Sequence, residues 1–141
     1  MNSEPITLRR GTPEDLPSIE RIQSASPEAS QWNVREYLEY DLLVAVYAQS
    51  VAGFAVARRV AEDESELLNL AVEPCLRRRG IARRLVTELT ALHSGALWLE
   101  VCESNQKARK LYVSLGFIES GQRPNYYPIS NESAIVMKVH S

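Results

Sequence analysis

Between residues 65 and 101 the chain reads SELLNLAV, EPCLRRRG, IARRLVTELTALHSG and ALWLEV in succession. The first and last pieces are apolar runs of strand length. The third places Ile81, Leu85, Leu89 and Leu92 on one face and Arg83, Arg84, Thr87 and Glu88 on the other, the pattern of an amphipathic helix. A strand, a helix and a second strand in that order make a crossover, so the sheet contains at least one parallel pair. ALWLEV is nearly continuous in apolar residues, which suits a strand covered on both faces.

The flanking sequence supplies antiparallel partners. PITLRR reads as a strand; Thr12 and Pro13 then cap a helix whose apolar face is Leu16, Ile19 and Ile22. QWNVREYLEY offers Trp32, Tyr37, Leu38 and Tyr40 to a short second helix. DLLVAVYAQS and VAGFAVARR form a hairpin, and SELLNLAV ends at Pro74. SNQKARKLYVSLG carries a Ser/Asn cap, an apolar face of Ala108, Leu111, Tyr112 and Leu115, and a stop at Gly116. FIESGQRP and SAIVMKVH are the last strands, around the loop NYYPISN. The expected fold is a single α/β (α+β) domain over residues 1–141, built on a mixed sheet.

Composition narrows the function classes. With 45% apolar and 24% charged residues the chain suits a soluble domain, and MNSEPITLRR lacks the apolar core of a signal peptide. The run LLVAVYAQSVAGFAVA is too short for a membrane helix and is broken by Gln49, Ser50 and Gly53. A cytoplasmic protein without a membrane span is expected. Cys75 and Cys102 lack metal-ligand or redox spacing, so reduced thiols and no metal are expected. A formal net charge of −2 argues against direct nucleic-acid binding, and His93 and His140 read as structural or exposed.

Against that balance, residues 75–86 gather five arginines around Gly80. A helix N-terminus already exposes unpaired N–H groups and partial positive charge, so cations there oppose folding by some tenths of a kcal/mol each. They make sense if an anion docks, with Gly80 letting the backbone approach it closely. Phosphate is the expected ligand, yet neither Gly-x4-Gly-Lys-Ser/Thr nor Gly-x-Gly-x-x-Gly occurs.

Arg77-Arg78-Arg79-Gly80-Ile81-Ala82 matches the Arg/Gln-x-x-Gly-x-Gly/Ala pattern of the Gcn5-related N-acetyltransferases. LLNLAVEPCLRRRGIARRLV resembles that family's fourth strand entering its pyrophosphate loop, and LWLEVCESNQKARKLYVSLGF is similar to its fifth strand through to its sixth. With NYYP, the chain most resembles the RimI-type ribosomal-protein-alanine branch, from about residue 65 to 128. The resemblance implies a mostly antiparallel twisted sheet of six to seven strands, flanked by four helices and splayed between the fourth and fifth strands. It implies acetyl-CoA as co-substrate, and transfer by direct attack on a protein α-amine, with the N-terminal alanine of a small-subunit ribosomal protein as the leading acceptor. A lysine ε-amine or small-molecule amine acceptor, or an acyl-CoA-sensing module without turnover, remains open.

The resemblance also assigns residues. Arg77, Arg78, Arg79, Gly80, Ile81 and Ala82 would hold the diphosphate, the backbone of Leu70, Ala71 and Val72 the pantetheine arm, and Asn105 the coenzyme. Glu100 would be the proton acceptor; read alone, a lone carboxylate in an apolar strand equally fits an edge residue facing water or an arginine. Tyr112 would give a proton to the leaving thiolate, although its helix face also suits a core aromatic. Trp32, Tyr126 and Tyr127 would line the peptide entrance. Cys102, on the strand face of Glu100, admits a covalent route, but no histidine is near it in sequence.

Overall fold

The apolar runs pair into one seven-stranded sheet of order β1-β2-β3-β4-β5-β7-β6. The computed structural model describes residues 5–26, 29–127 and 132–140, with backbone alone at 125–127. Its strands are β1 (Ile6–Arg10), β2 (Asp41–Tyr47), β3 (Ser50–Ala61), β4 (Glu64–Val72), β5 (Ala96–Cys102), β6 (Ile118–Tyr127) and β7 (Glu132–His140). The α-helices are α1 (Leu16–Ser24), α2 (Ile81–Leu92) and α3 (Gln106–Ser114), and Val34–Glu39 adds a short 3-10 helix. No helix among the described residues is long and apolar enough to cross a membrane.

Local chemistry sets the helix starts. The Asp15 carboxylate accepts the Thr12 N–H at 2.8 Å and the Arg9 guanidinium at 2.7 and 2.9 Å. Those bonds, led by the one from Arg9, hold Asp15 below the usual carboxylate range. Asn105 caps α3 by accepting the Ala108 N–H at 3.2 Å, and Gly116 ends that segment at φ +98.

Two apolar clusters cover the two sheet faces. Ile19 and Ile22 of α1 cluster with Tyr37, Val44 and Phe54, while Leu85 and Leu89 of α2 and Tyr112 of α3 cluster with Leu97, Leu99, Phe117 and Met137. His93, just beyond α2, is buried with Nδ1 2.7 Å from Ser65 Oγ and Nε2 2.9 Å from Asp41 Oδ2.

The feature that positions the site is a parting of strands. β4 and β5 pair in parallel only at Glu64–Ala96, Ser65–Leu97 and Glu66–Trp98, although both run well beyond. β5 is instead held antiparallel to β7 along its length, from Ala96–His140 to Cys102–Ala134. Opposite β3, Val56 meets Asn69 while Ala57 meets Leu67, so Leu68 is an extra residue in β4. Such a bulge bends its strand, here just where β4 leaves β5.

Four expectations need correction. QWNVREYLEY gives only the 3-10 helix, with Trp32 outside it and 54% exposed, because its apolar residues do not sustain a helical face. ALWLEV is not covered on both faces: Trp98, Glu100 and Cys102 are half-buried, since they face the space opened by the parting. Leu92 is 46% exposed at the fraying end of α2, and Val86 is buried in its stead. Finally, residues 125–127 of the NYYPISN loop continue β6 against β7, where Tyr127 pairs with Glu132.

Candidate active site

Gly80 sits at the N-terminus of α2 with φ +78, a left-handed conformation, and a Cβ built there would meet nothing within 4 Å. Its carbonyl accepts the Arg84 N–H at 3.0 Å, so the helix starts here and its first-turn amides have no intrahelical acceptor. They border a cleft of about 450 Å³ walled by Leu70, Ala71 and Val72 of β4, by Arg77, Arg78, Gly80, Ile81 and Ala82, and by Lys107, Leu111 and Leu115 on the α3 side. Ile81 is 1% exposed and belongs to the apolar core beneath the cleft floor.

The three successive arginines go three ways. Arg77 lies along the cleft wall, with Nε donating to the Val72 carbonyl at 3.3 Å and Nη2 to Ser26 Oγ at 3.0 Å. Arg78 lines the cleft from a left-handed backbone, φ +69. Arg79 is not among the lining residues; its guanidinium lies over the Tyr47 ring, 5.5 Å from the centroid. Across the cleft mouth Arg83 donates to the Ser114 carbonyl at 2.7 Å and ties α2 to α3.

Where β4 leaves β5, a smaller space of about 200 Å³ is bounded by Leu67, Leu68 and Asn69 on one side and by Glu100, Cys102, Asn105 and Tyr112 on the other. Tyr112 is 9% exposed and meets Phe117 edge-on, with centroids 5.5 Å apart. Cys102 Sγ lies 3.6 Å from Ser104 Oγ, while Cys75 is exposed. Glu100 also borders a third space of about 520 Å³, shared with Ser30, Trp32, Tyr37, Tyr40, Arg58, Glu66, Trp98 and Arg123.

Glu100 Oε2 lies 3.0 Å from Arg123 Nε. Burial pushes the carboxyl above its ordinary range; Arg123 opposes that rise, and Glu66 adds to it. Glu100 is thus the one charged residue common to the smaller space, the seam between β4 and β5, and the third space, the outer cleft, among the described residues. Trp32 borders the outer cleft as expected. The side chains of Tyr126 and Tyr127 lie outside the described residues.

The model of the Acetyltransferase (GNAT) family matches residues 12–117. The chain belongs to that family. The [ribosomal protein bS18]-alanine N-acetyltransferase of Salmonella typhimurium is 37% identical over 134 residues, covering 87% of this chain and 89% of that one. Among solved structures, the ribosomal-protein-S18-alanine N-acetyltransferase from Escherichia coli superposes with a TM-score of 0.76 at 32% identity, over 95% of this chain and 92% of that one. Ard1 from Thermoplasma volcanium gives 0.80 at 28% identity, over 95% and 96%. The expected GNAT sheet, its parallel β4–β5 pair and the enzyme class of acetyltransferase therefore stand.

Sequence reasoning missed Arg58, Glu66 and Arg123, charged groups of the outer cleft that come from three strands. It also missed Asn69. That residue carried a usable signal, since it is a lone amide inside the apolar strand LLNLAV, as Glu100 is a lone carboxylate inside ALWLEV.

Proposed function

We propose that the chain transfers the acetyl group of acetyl-CoA to the α-amine of a protein N-terminus, with the N-terminal alanine of a small-subunit ribosomal protein as acceptor. One observation carries this reading: a seam lined by both Tyr112 and Glu100 shares Glu100 with the outer cleft, and its Asn69 and Tyr112 are the immediate sequence neighbours of Leu70 and Leu111 in the helix-start cleft. The acceptor class is supported by the curated relatives, named as bS18-alanine N-acetyltransferases.

The residues present fit the coenzyme. The open side of Gly80, the first-turn amides of α2 and Arg78 suit a diphosphate, because backbone donors and a guanidinium converge there. Leu70, Ala71 and Val72 face the cleft from the edge of β4 that β5 no longer pairs. When bound, acetyl-CoA supplies a thioester, whose carbonyl an amine can attack.

On the acceptor side, Glu100 takes a proton from the attacking amine, and its raised pKa makes it a better base than an ordinary carboxylate. An α-amine, with a reference pKa of about 7.7–8.0, needs less help than a lysine at about 10.4, so one modest base suffices. The Tyr112 hydroxyl returns a proton on the departing side of the same seam. Asn105 holds the start of α3, and hence Tyr112, in place. Trp32, which borders the outer cleft, guides the peptide into it.

The deciding experiment offers two peptides to the purified chain with acetyl-CoA, one with a free N-terminal alanine and one N-terminally blocked but carrying lysine. Mass spectrometry should find acetyl on the first only. Acetylation of the blocked peptide alone would move the acceptor class to lysine.

A further inference from the structure

Asn69 is 4% exposed and uses its whole side-chain amide. Oδ1 accepts the Leu70 N–H at 3.0 Å and the Ser30 N–H at 3.2 Å. Nδ2 has the Ser30 carbonyl at 2.8 Å, Gln23 Oε1 at 2.9 Å and the Tyr37 hydroxyl at 3.0 Å within reach. A single amide thus grips both backbone groups of Ser30, as a neighbouring strand would. It does so beyond Glu66, where β4 has lost β5.

Ser30 borders both the seam beside Tyr112 and the outer cleft. Its neighbours are fastened to the same network. Gln23 Nε2 donates to the Trp32 carbonyl at 2.7 Å, Gln31 Nε2 donates to the Gln23 carbonyl at 2.9 Å, and the Tyr37 hydroxyl donates to Gln23 Oε1 at 2.6 Å. Burial pushes the Tyr37 hydroxyl up to about 12, so it stays a neutral donor at any pH where the enzyme works.

We propose that Asn69 is a positioning residue for the acceptor: its amide clamps Ser30 beside the unpaired stretch of β4 and thereby sets the wall between the reaction seam and the acceptor cleft. None of these bonds reaches Glu100, and only the Leu70 N–H belongs to the helix-start cleft; N69D keeps an acceptor for that N–H and S30P leaves it untouched, so the effect of either variant falls on the acceptor and not on the coenzyme. This assignment rests on the peptide-acetyltransferase reading above.

The test uses the full chain, N69D and S30P. N69D replaces the donor to the Ser30 carbonyl with a second acceptor; S30P deletes the N–H that Asn69 holds, at a solvent-facing residue. Steady-state kinetics with the free-alanine peptide should give a peptide KM raised about tenfold or more in both variants. The acetyl-CoA Kd by calorimetry should stay within about twofold. A peptide KM that does not move, or peptide and coenzyme affinities falling in parallel, would overturn the assignment. If N69D does not fold, S30P decides alone. Should the unsubstituted chain fail on the alanine peptide, the substrate reading is what fails, and hydrogen exchange at the Ser30 amide decides the clamp. An amide protected in the unsubstituted chain supports it; one exchanging as fast as an open loop refutes it.

Discussion

Gly80→Ala separates the folding role of the arginine loop from its binding role. At φ +78 an alanine costs about 1–2 kcal/mol through its own backbone. No steric cost is added, because its methyl meets no protein atom within 4 Å. For a domain of this size that strain corresponds to a fall in Tm of roughly 3–10 °C. In the proposed reading the methyl instead stands where a diphosphate oxygen would approach the first-turn amides of α2. Loss of one hydrogen bond to a charged oxygen removes about 1.5–3 kcal/mol. The acetyl-CoA Kd should therefore rise roughly 10- to 150-fold. Scanning fluorimetry without coenzyme reads the first quantity and titration calorimetry the second. A variant that melts lower as expected yet binds acetyl-CoA with unchanged affinity would show that the diphosphate is gripped elsewhere.

Tyr112→Phe keeps the edge-on contact with Phe117 and removes only the hydroxyl, so kcat should fall by about 10²- to 10⁴-fold with coenzyme affinity and Tm retained, by steady-state kinetics and calorimetry. Glu100→Gln should cut kcat/KM at neutral pH, and in the unsubstituted chain the acid limb should lie above the ordinary carboxylate range. The same raised pKa makes the folded chain bind more protons than the unfolded one, so this carboxyl's contribution to stability declines as pH rises. Glu100→Gln should accordingly melt higher than the unsubstituted chain at pH 8, with the difference closing below the carboxylate range. Asp15 has the opposite sign. Its pKa is held down, so its contribution is present above the ordinary carboxylate pKa and is lost as pH falls; Asp15→Asn should cost about 1–2 kcal/mol at pH 7, discounted for the half-exposed Arg9, and progressively less in acid, by urea unfolding.

What could be read in advance followed from local rules. The 3.6-residue recurrence of Ile81, Leu85 and Leu89, the cap at Asn105 and the stop at Gly116 are decided within one or two turns, and each stands in the structure. Whatever depends on how strands lie beside one another was not legible in this way. Arg77, Arg78 and Arg79 are chemically identical neighbours, yet the left-handed turn at Arg78 sends Arg79 away to Tyr47. The half-exposure of Trp98, Glu100 and Cys102 is set by the point at which β4 turns aside, which no pattern within ALWLEV encodes. The pairing of Glu100 with Arg123 joins residues of two strands.

The parting of β4 and β5 explains why the site falls where it does. β5 stays anchored after it leaves β4, because β7 pairs with its other edge throughout, although its edge toward β4 is open beyond Trp98. β4 keeps β3 on one side only, so from Leu67 onward half of its backbone donors and acceptors face an opening. Buried backbone groups without partners are costly, and an enzyme whose sheet opens in this way has to fill the gap with something other than a strand. Asn69 fills part of it from within, holding the Leu70 N–H and Ser30 with one amide. The stretch from Leu70 to Val72 lines the helix-start cleft, where the pantetheine arm in our reading takes the place of the absent strand. On this account the opened edge is at once a weakness in the sheet and the reason a thioester can lie beside Tyr112. A chain engineered to zip β4 and β5 together beyond Glu66 should be more stable and unable to bind coenzyme.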